Sequence, residues 1–162
     1  MDLIIVESPS KAKTIAKYLK GKYRVDASAG HIRDLPVHTL GVDLNNNYEP
    51  KYVNSEGKED VIRRLVDATK KADRVYLATD PDREGEAIAW HLYDVLGIKG
   101  KTHRIKFNEI SEKAVKTAIA TPGRIDYNLV NSQQARRILD RIVGYKLSPL
   151  VRTRVKDGES AG

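Results

Sequence analysis

Arg74-Val75-Tyr76-Leu77-Ala78-Thr79-Asp80-Pro81-Asp82-Arg83-Glu84-Gly85-Glu86 is the stretch on which the reading of this chain turns. Residues 74–78 predict a short buried strand, and the residues that follow predict a helix over 84–96 with Ile88, Leu92, Val95 and Leu96 on one side. Between them three carboxylates stand at alternate positions: Asp80, Asp82 and Glu84. In extended backbone, residues two apart share a face at ~6.5–7 Å spacing. Like charges gathered at a strand's carboxyl end repel unless a cation sits among them. A hard divalent ion, Mg2+ for choice, suits oxygen ligands. Open α/β sheets also bind their ligands at the carboxyl ends of strands. A plainer reading stands beside this one, in which the acids only cap a helix and complement its dipole. On the segment alone both readings stand.

One imitation can be removed. Asp80-x-Asp82-x-Glu84-Gly85 copies the opening of an EF-hand calcium loop, but that loop needs a bidentate Glu at position twelve, where this chain has His91.

The bulk properties narrow the field. A length of 162 residues suits one domain, with part of a second. An apolar fraction of 40% with only 6% aromatic residues predicts an aliphatic core. There is no 18-residue apolar run, so no transmembrane span is expected. Met1–Glu7 is too short for the apolar part of a signal peptide. The absence of cysteine excludes disulfides, Cys zinc sites and a thiol nucleophile. His31, His38, His91 and His103 show no metal-ligand spacing. A cytoplasmic protein is expected. The net charge of +7 favours a polyanionic partner. From residue 124 to 156 the bases are Arg124, Arg136, Arg137, Arg141, Lys146, Arg152, Arg154 and Lys156, against only Asp126 and Asp140.

Residues 2–7 form a near-continuous apolar run ending in Glu7, the pattern of a central parallel strand. Ser8-Pro9 reads as an N-cap with proline at the first helical position. The helix to about Lys20 turns Ile15, Ala16 and Leu19 inward. Lys11, in its first turn beside free backbone N–H groups, makes a phosphate seat, whereas Lys13 and Lys17 read as ordinary surface lysines. Glu7 ends its strand at the same edge as Asp80. A carboxylate beside three others should hold its proton more tightly, which suits a general acid or base. Without those neighbours it would read as an exposed acid capping the next helix.

Residues 23–28 predict a second strand, alternating and so nearer an edge. In the loop Gly30-His31-Ile32-Arg33-Asp34-Leu35-Pro36, His31 and Arg33 can bind phosphate. Residues 36–56 keep no period and are long for an idle connection, so they are functional or belong with a neighbouring domain. Residues 59–71 predict an amphipathic helix, 102–107 a strand, and Ser111 caps a helix over 112–120. This order predicts an α/β fold with a mainly parallel sheet. No G-x-G-x-x-G occurs, and each Gly-Lys pair lacks the earlier glycine of a phosphate loop, so neither a dinucleotide nor ATP is indicated. The G-x-S-x-G match over 158–162 lacks its strand and helix and reads as chance.

After Gly123 the character changes. Ile125 to Val143 predicts one long helix with Val130, Ala135, Ile138 and Ile142 at core spacing. Arg137, Arg141 and Tyr145 recur every four residues as a separate stripe. Two guanidinium groups and a ring in line can follow a phosphate backbone while stacking a base. An ion-paired helix surface using Asp140 explains them equally well.

The chain resembles bacterial DNA topoisomerase I, the type IA class, over essentially its whole length. The residues that carry this are Ile5-Val6-Glu7-Ser8-Pro9-Ser10-Lys11-Ala12-Lys13-Thr14, the 30–36 block, Ala78–His91, Phe107-Asn108-Glu109-Ile110, Gln133-Gln134-Ala135-Arg136-Arg137, Asp140-Arg141 and Gly144-Tyr145. A Glu with an Asp-x-Asp-x-Glu element also marks the wider toprim group of primases and nucleases; His31 and the 133–137 block narrow it to the topoisomerase. The resemblance implies a Rossmann-like toprim fold, a mainly parallel four-stranded sheet flanked by helices with a C-terminal helical extension. It places the toprim domain at 1–122, with the 36–56 loop against the next domain, and a truncated start of the helical DNA-gate domain at 123–162.

What the resemblance implies for function is ATP-independent relaxation of negatively supercoiled DNA through a 5′-phosphotyrosine. The catalytic set it implies is Glu7, Lys11, Asp80 and Arg83, with Glu7 assisting proton transfer at the departing 3′-oxygen and Lys11 steadying the scissile phosphate. The implied Mg2+ ligands are Glu7, Asp80, Asp82 and Glu84. The implied DNA-binding set is His31, Arg33, Arg104, Arg136, Arg137, Asp140, Arg141 and Tyr145. The family's nucleophilic tyrosine lies in a Tyr-Pro-Arg-Thr type context that none of the eight tyrosines here has. An amino-terminal fragment is therefore expected, monomeric or weakly self-associating, nucleoid-associated through single-stranded DNA, and unable to cleave without its other domains. A self-sufficient Mg2+-dependent toprim nuclease and a non-catalytic single-strand-binding module are the alternative readings.

Overall fold

A computed structural model describes residues 1–155, and side chains as far as residue 147. The G-x-S-x-G match, Lys156, and the side chains of Arg152 and Arg154 lie outside the described residues. The central sheet has four parallel strands: β1 (Asp2–Val6), β2 (Tyr23–Ala27), β7 (Val75–Leu77) and β8 (Thr102–Arg104), in the order β2-β1-β7-β8. Two small antiparallel pairs lie between β2 and β7 in sequence. They are β3 (Arg33–Asp34) with β6 (Val53–Asn54), and β4 (Val42–Asp43) with β5 (Glu49–Pro50). The 36–56 segment is thus not without structure. Its pairs are two residues long, too short to leave a period in the sequence.

Helices cover both faces of the sheet, as parallel strands require. Alternation along β1 sends Leu3 and Ile5 one way and Ile4 and Val6 the other. Leu3 and Ile5 pack with Leu77, with Leu65 and Ala68 of α2 (Glu59–Lys71) and with Ala89, Leu92 and Leu96 of α3 (Arg83–Leu96). Ile4 and Val6 pack with Tyr76, with Ile15 and Leu19 of α1 (Pro9–Leu19) and with Val115 of α4 (Glu112–Ala120). Every residue of β1 after Asp2 is buried, which is why its run reads as unbroken apolar sequence.

The caps sit where the sequence puts them. Ser8 accepts a hydrogen bond from the Lys11 backbone N–H, with Pro9 opening α1, and Ser111 accepts one from Ala114 N–H. The last helix, α5 (Tyr127–Val155), packs on α3 and is longer than the 125–143 expected, running straight through Gly144. Its start is fixed by Asp126, whose carboxylate accepts from the N–H groups of Asn128 and Leu129. Its inward face also departs from the expected one: Val130 and Gln133 are buried, Ile138 and Ile142 only half so, and Ala135 is exposed. Among the described residues no helix is long and apolar enough to cross a membrane.

One feature of the topology places the site. From β1 the chain crosses one way to β2 and later enters β7 on the opposite side, so the strand order reverses between β1 and β7. A crevice opens at the carboxyl ends of strands where such a reversal occurs. Glu7 follows β1, and Asp80 follows β7 after Ala78 and Thr79.

Candidate active site

The acids brought together at that crevice are Glu7 and Asp80, and Lys11 joins them. The Ser8 cap turns the chain directly from β1 into α1, and Lys11 falls one turn beyond Glu7. Its ammonium lies 2.8 Å from Glu7 Oε1 and 2.7 Å from Asp80 Oδ1. The other Glu7 oxygen accepts the Asp80 backbone N–H at 2.8 Å. The Lys11 hydrogen bond holds the Asp80 carboxyl below its usual range, against a partial burial that acts the other way; the charges of Lys11 and Arg104 add to the lowering. Burial disfavours the Lys11 charge, but its bonds to Asp80 and Glu7 outweigh that and hold it above the usual lysine value.

The alternation expected across Asp80, Asp82 and Glu84 ends at Asp82, because α3 begins at Arg83. Asp82 is the extended N-cap residue, and its Oδ1 accepts the Gly85 N–H at 2.7 Å. Glu84, in the first helical turn, faces His31 instead, with His31 Nε2 at 3.2 Å. Capping and charge clustering therefore occur in one segment, divided between its residues. Among the described residues no three His, Asp or Glu side chains converge as a ready-made metal site. The donors present nonetheless suit a hard cation. Glu7, Asp80 and Asp82 line one open cleft of about 370 Å3 with Lys11, Pro81 and Asn108, and its carboxylates already hold a cationic group, the Lys11 ammonium. Glu84 is not part of that lining.

Residues 2–110 match the family model described as Toprim domain. The chain belongs to the Toprim family. Its fold superimposes on full-length topoisomerase I from Thermotoga maritima with a TM-score of 0.92 and 48% sequence identity, covering 99% of this chain and 28% of that one. The chain thus spans little more than a quarter of that protein's length, and the likeness read from the sequence motifs extends to the coordinates.

The basic residues expected around this toprim crevice are distributed unevenly. Arg83 opens α3, half-buried, and makes no ion pair among the described residues. Arg104 requires correction: expected at the DNA, it is 2% exposed. Its guanidinium donates to the carbonyls of Leu77, Thr79, Asp80 and Ile105 and pairs with Glu86 at 3.0 Å. An arginine whose donors are spent inside the protein has none to offer a phosphate. Arg33 is likewise held within the fold. Its Nε donates to His91 Nδ1 at 2.9 Å and its Nη1 to Asp94 at 2.6 Å, and the guanidinium lies 5.2 and 5.0 Å from the centres of the Tyr52 and Trp90 rings.

On α5, Arg136 and Asp140 are exposed, while the stripe leans on the loop after β3. Arg137 grips both oxygens of Asp34 at 3.1 and 3.2 Å. Arg141 donates to the carbonyls of Pro36, Thr39 and Leu40, and the Tyr145 hydroxyl reaches the His38 carbonyl at 3.4 Å. The stripe's ionic partner is therefore Asp34, not the Asp140 of the sequence reading.

Glu86 was missed at the sequence level. It lies two places beyond Glu84, but on a helix that spacing turns a side chain to the opposite face. Fully buried, it accepts from Arg104, from Lys106 at 3.1 Å and from the Asp126 N–H at 2.9 Å, so one carboxylate ties α3, β8 and the start of α5 together. Burial alone would raise its proton affinity, but these donors outweigh that and lower it. No local signal places it inward: helical spacing groups Glu84, not Glu86, with Ile88 and Leu92. Glu86 is buried because β8 and the start of α5 cover the other face of α3.

Proposed function

We propose that this chain is the amino-terminal toprim part of a type IA DNA topoisomerase, an enzyme that relaxes negatively supercoiled DNA by breaking and rejoining one strand through a 5′-phosphotyrosine, without ATP. In this reading Glu7 moves the proton at the departing 3′-oxygen, and Lys11 steadies the scissile phosphate. Phosphoryl transfer is chiefly a matter of positioning and charge neutralisation, and the cleft offers groups for both. Glu7, Asp80 and Asp82 would hold Mg2+, with Glu84 joining after leaving His31; when bound, the ion would neutralise charge building on the phosphate. The exposed Arg136 with Arg137, Arg141 and Tyr145 would hold the single strand. No tyrosine here has the nucleophile's context, so the chain alone is inactive and works with the remaining domains of its parent.

The observation that carries this reading is the Lys11 ammonium held between Glu7 and Asp80 at 2.8 and 2.7 Å. Acid, base and phosphate seat then meet at one point. The test is a Mg2+ titration of the chain followed by NMR, beside supercoil-relaxation and nicking assays. Shifts should centre on Glu7, Asp80 and Asp82 and vanish in Asp80→Asn, with neither relaxation nor nicking. Relaxation by the isolated chain, or Mg2+-dependent nicking lost in Asp80→Asn, would replace this reading, the latter with a self-sufficient nuclease.

A further inference from the structure

The loop between β3 and β4 is shaped to receive two arginines from α5. Gly41 closes it: at φ +68 it adopts a backbone conformation other residues rarely take, and a Cβ there would fall 2.5 Å from the Pro36 ring. So closed, residues 36–40 present three carbonyls to Nη1 of Arg141, at 2.6, 2.8 and 3.2 Å. Beside them Asp34 takes Nε and Nη2 of Arg137 in a two-point grip. Asp34 is itself fixed, paired in register with Val53 and accepting the Leu35 N–H at 2.7 Å. Burial would raise its proton affinity, but the bonds from Arg137 and Leu35 outweigh it and keep the carboxylate ionised.

These contacts leave donors over. Among the described residues, Nη1 of Arg137 and both Nε and Nη2 of Arg141 are not engaged. A loop that merely blocked the stripe would consume those groups. We propose that Asp34 is a positioning residue: it and the 36–40 carbonyls fix Arg137 and Arg141 so that their remaining N–H groups meet a single strand's phosphates already oriented. This rests on the reading of α5 as strand-holding. Ordering two long side chains before binding removes an entropic cost that each would otherwise carry on association.

The test turns on sign. Asp34→Asn removes a negative charge, so general electrostatics alone would make the chain bind DNA more tightly. Positioning requires the reverse. In the full 162-residue chain, fluorescence anisotropy with a labelled oligothymidylate should show Asp34→Asn weakened about three- to tenfold. Arg137→Ala should weaken it similarly, and Asp34→Asn should add little on top of Arg137→Ala. Asp34→Glu should restore part of the loss. Arg137→Lys, which keeps the charge but loses the two-point grip, should behave like Asp34→Asn and serves if the latter folds poorly. Tighter or unchanged binding by Asp34→Asn, with Arg137→Ala weakened, overturns the inference and leaves the strand-holding reading intact. No change in Arg137→Ala and Arg141→Ala overturns both.

Discussion

A methyl group on Gly85 would fall 1.9 Å from the carbonyl oxygen of Asp80. The first turn of α3 lies directly against the backbone that carries the acidic corner, and glycine stands there for space alone. The contact is reinforced from both sides. Gly85 N–H donates to Asp82, and its carbonyl accepts the Thr79 hydroxyl at 2.5 Å. Gly85→Ala must therefore push α3 away from Asp80. A loss of about 2–4 kcal/mol is expected, read as a lower urea midpoint at unchanged slope. A variant as stable as the parent would mean that the approach is looser than described.

The Glu86–Arg104 pair makes a second prediction. Both side chains are removed from water, so taking Glu86 away strands the Arg104 charge. Taking Arg104 away leaves the buried Glu86 carboxylate with only Lys106 and one backbone N–H. Arg104→Met should cost about 3–5 kcal/mol. The double variant Glu86→Leu with Arg104→Met should lose less than the sum of the single losses, since no buried charge is left unpaired and Lys106, which also loses its partner, can turn to water. Single-strand affinity of Arg104→Met, measured where it is folded, should equal the parent's, because no Arg104 N–H faces outward. A drop in affinity without a drop in stability would return Arg104 to the DNA-binding set.

The sheet and its helices were legible because buried parallel strands and capped amphipathic helices leave strong local patterns. The unbroken apolar run of β1, Ser8-Pro9 before α1 and Ser111 before α4 are each read without their surroundings. The juxtaposition of Glu7 and Asp80 was legible through the rule that ligand crevices lie at strand carboxyl ends. What stayed hidden depends on partners distant in sequence. Nothing near Arg104 says that it is buried, because its acceptors belong to β7 and α3. Nothing near Arg137 points to Asp34, 103 residues away. In the 36–56 segment β6 finds its partner in β3, before the segment begins, and two-residue strands carry no period to read.

Lys11 answers to the carboxylates on either side of it. Lys11→Ala would leave Glu7 and Asp80 facing each other without a neutralising charge. The Asp80 carboxyl, now held low by the Lys11 hydrogen bond, should then titrate at higher pH, observable as a 13C shift of its carboxyl carbon. The same change vacates the position where a divalent ion would be drawn. Mg2+ affinity should rise by about fivefold or more, even as the phosphate contact proposed for Lys11 is lost. Weaker Mg2+ binding in Lys11→Ala would show that the lysine organises the carboxylates instead of competing for them.

The last prediction concerns acid stability and rests on His91. Its ring is buried on α3, 4.7 Å from the Tyr52 ring centre and 4.9 Å from that of Trp90, and its Nδ1 accepts from Arg33. Burial, then the charges of Arg33 and His31, lower its pKa from 6.5 to about 3. In the unfolded chain the same imidazole takes a proton near pH 6.5. Between these values the unfolded state binds more protons than the folded one, so stability is complete above pH 7 and falls as pH drops toward 3. From pH 7.5 to 5 the loss from this residue should be on the order of 2 kcal/mol. The depressed carboxylates Asp34, Asp80 and Glu86 give up their contributions as pH falls from about 5 downward, so nearly all of that loss lies outside the window. His91→Gln, which keeps an acceptor for Arg33 without titrating, should flatten the change. Urea midpoints at pH 7.5 and 5 for both proteins decide it: an equal drop in the two would mean that His91 is not the group whose protonation loosens the fold.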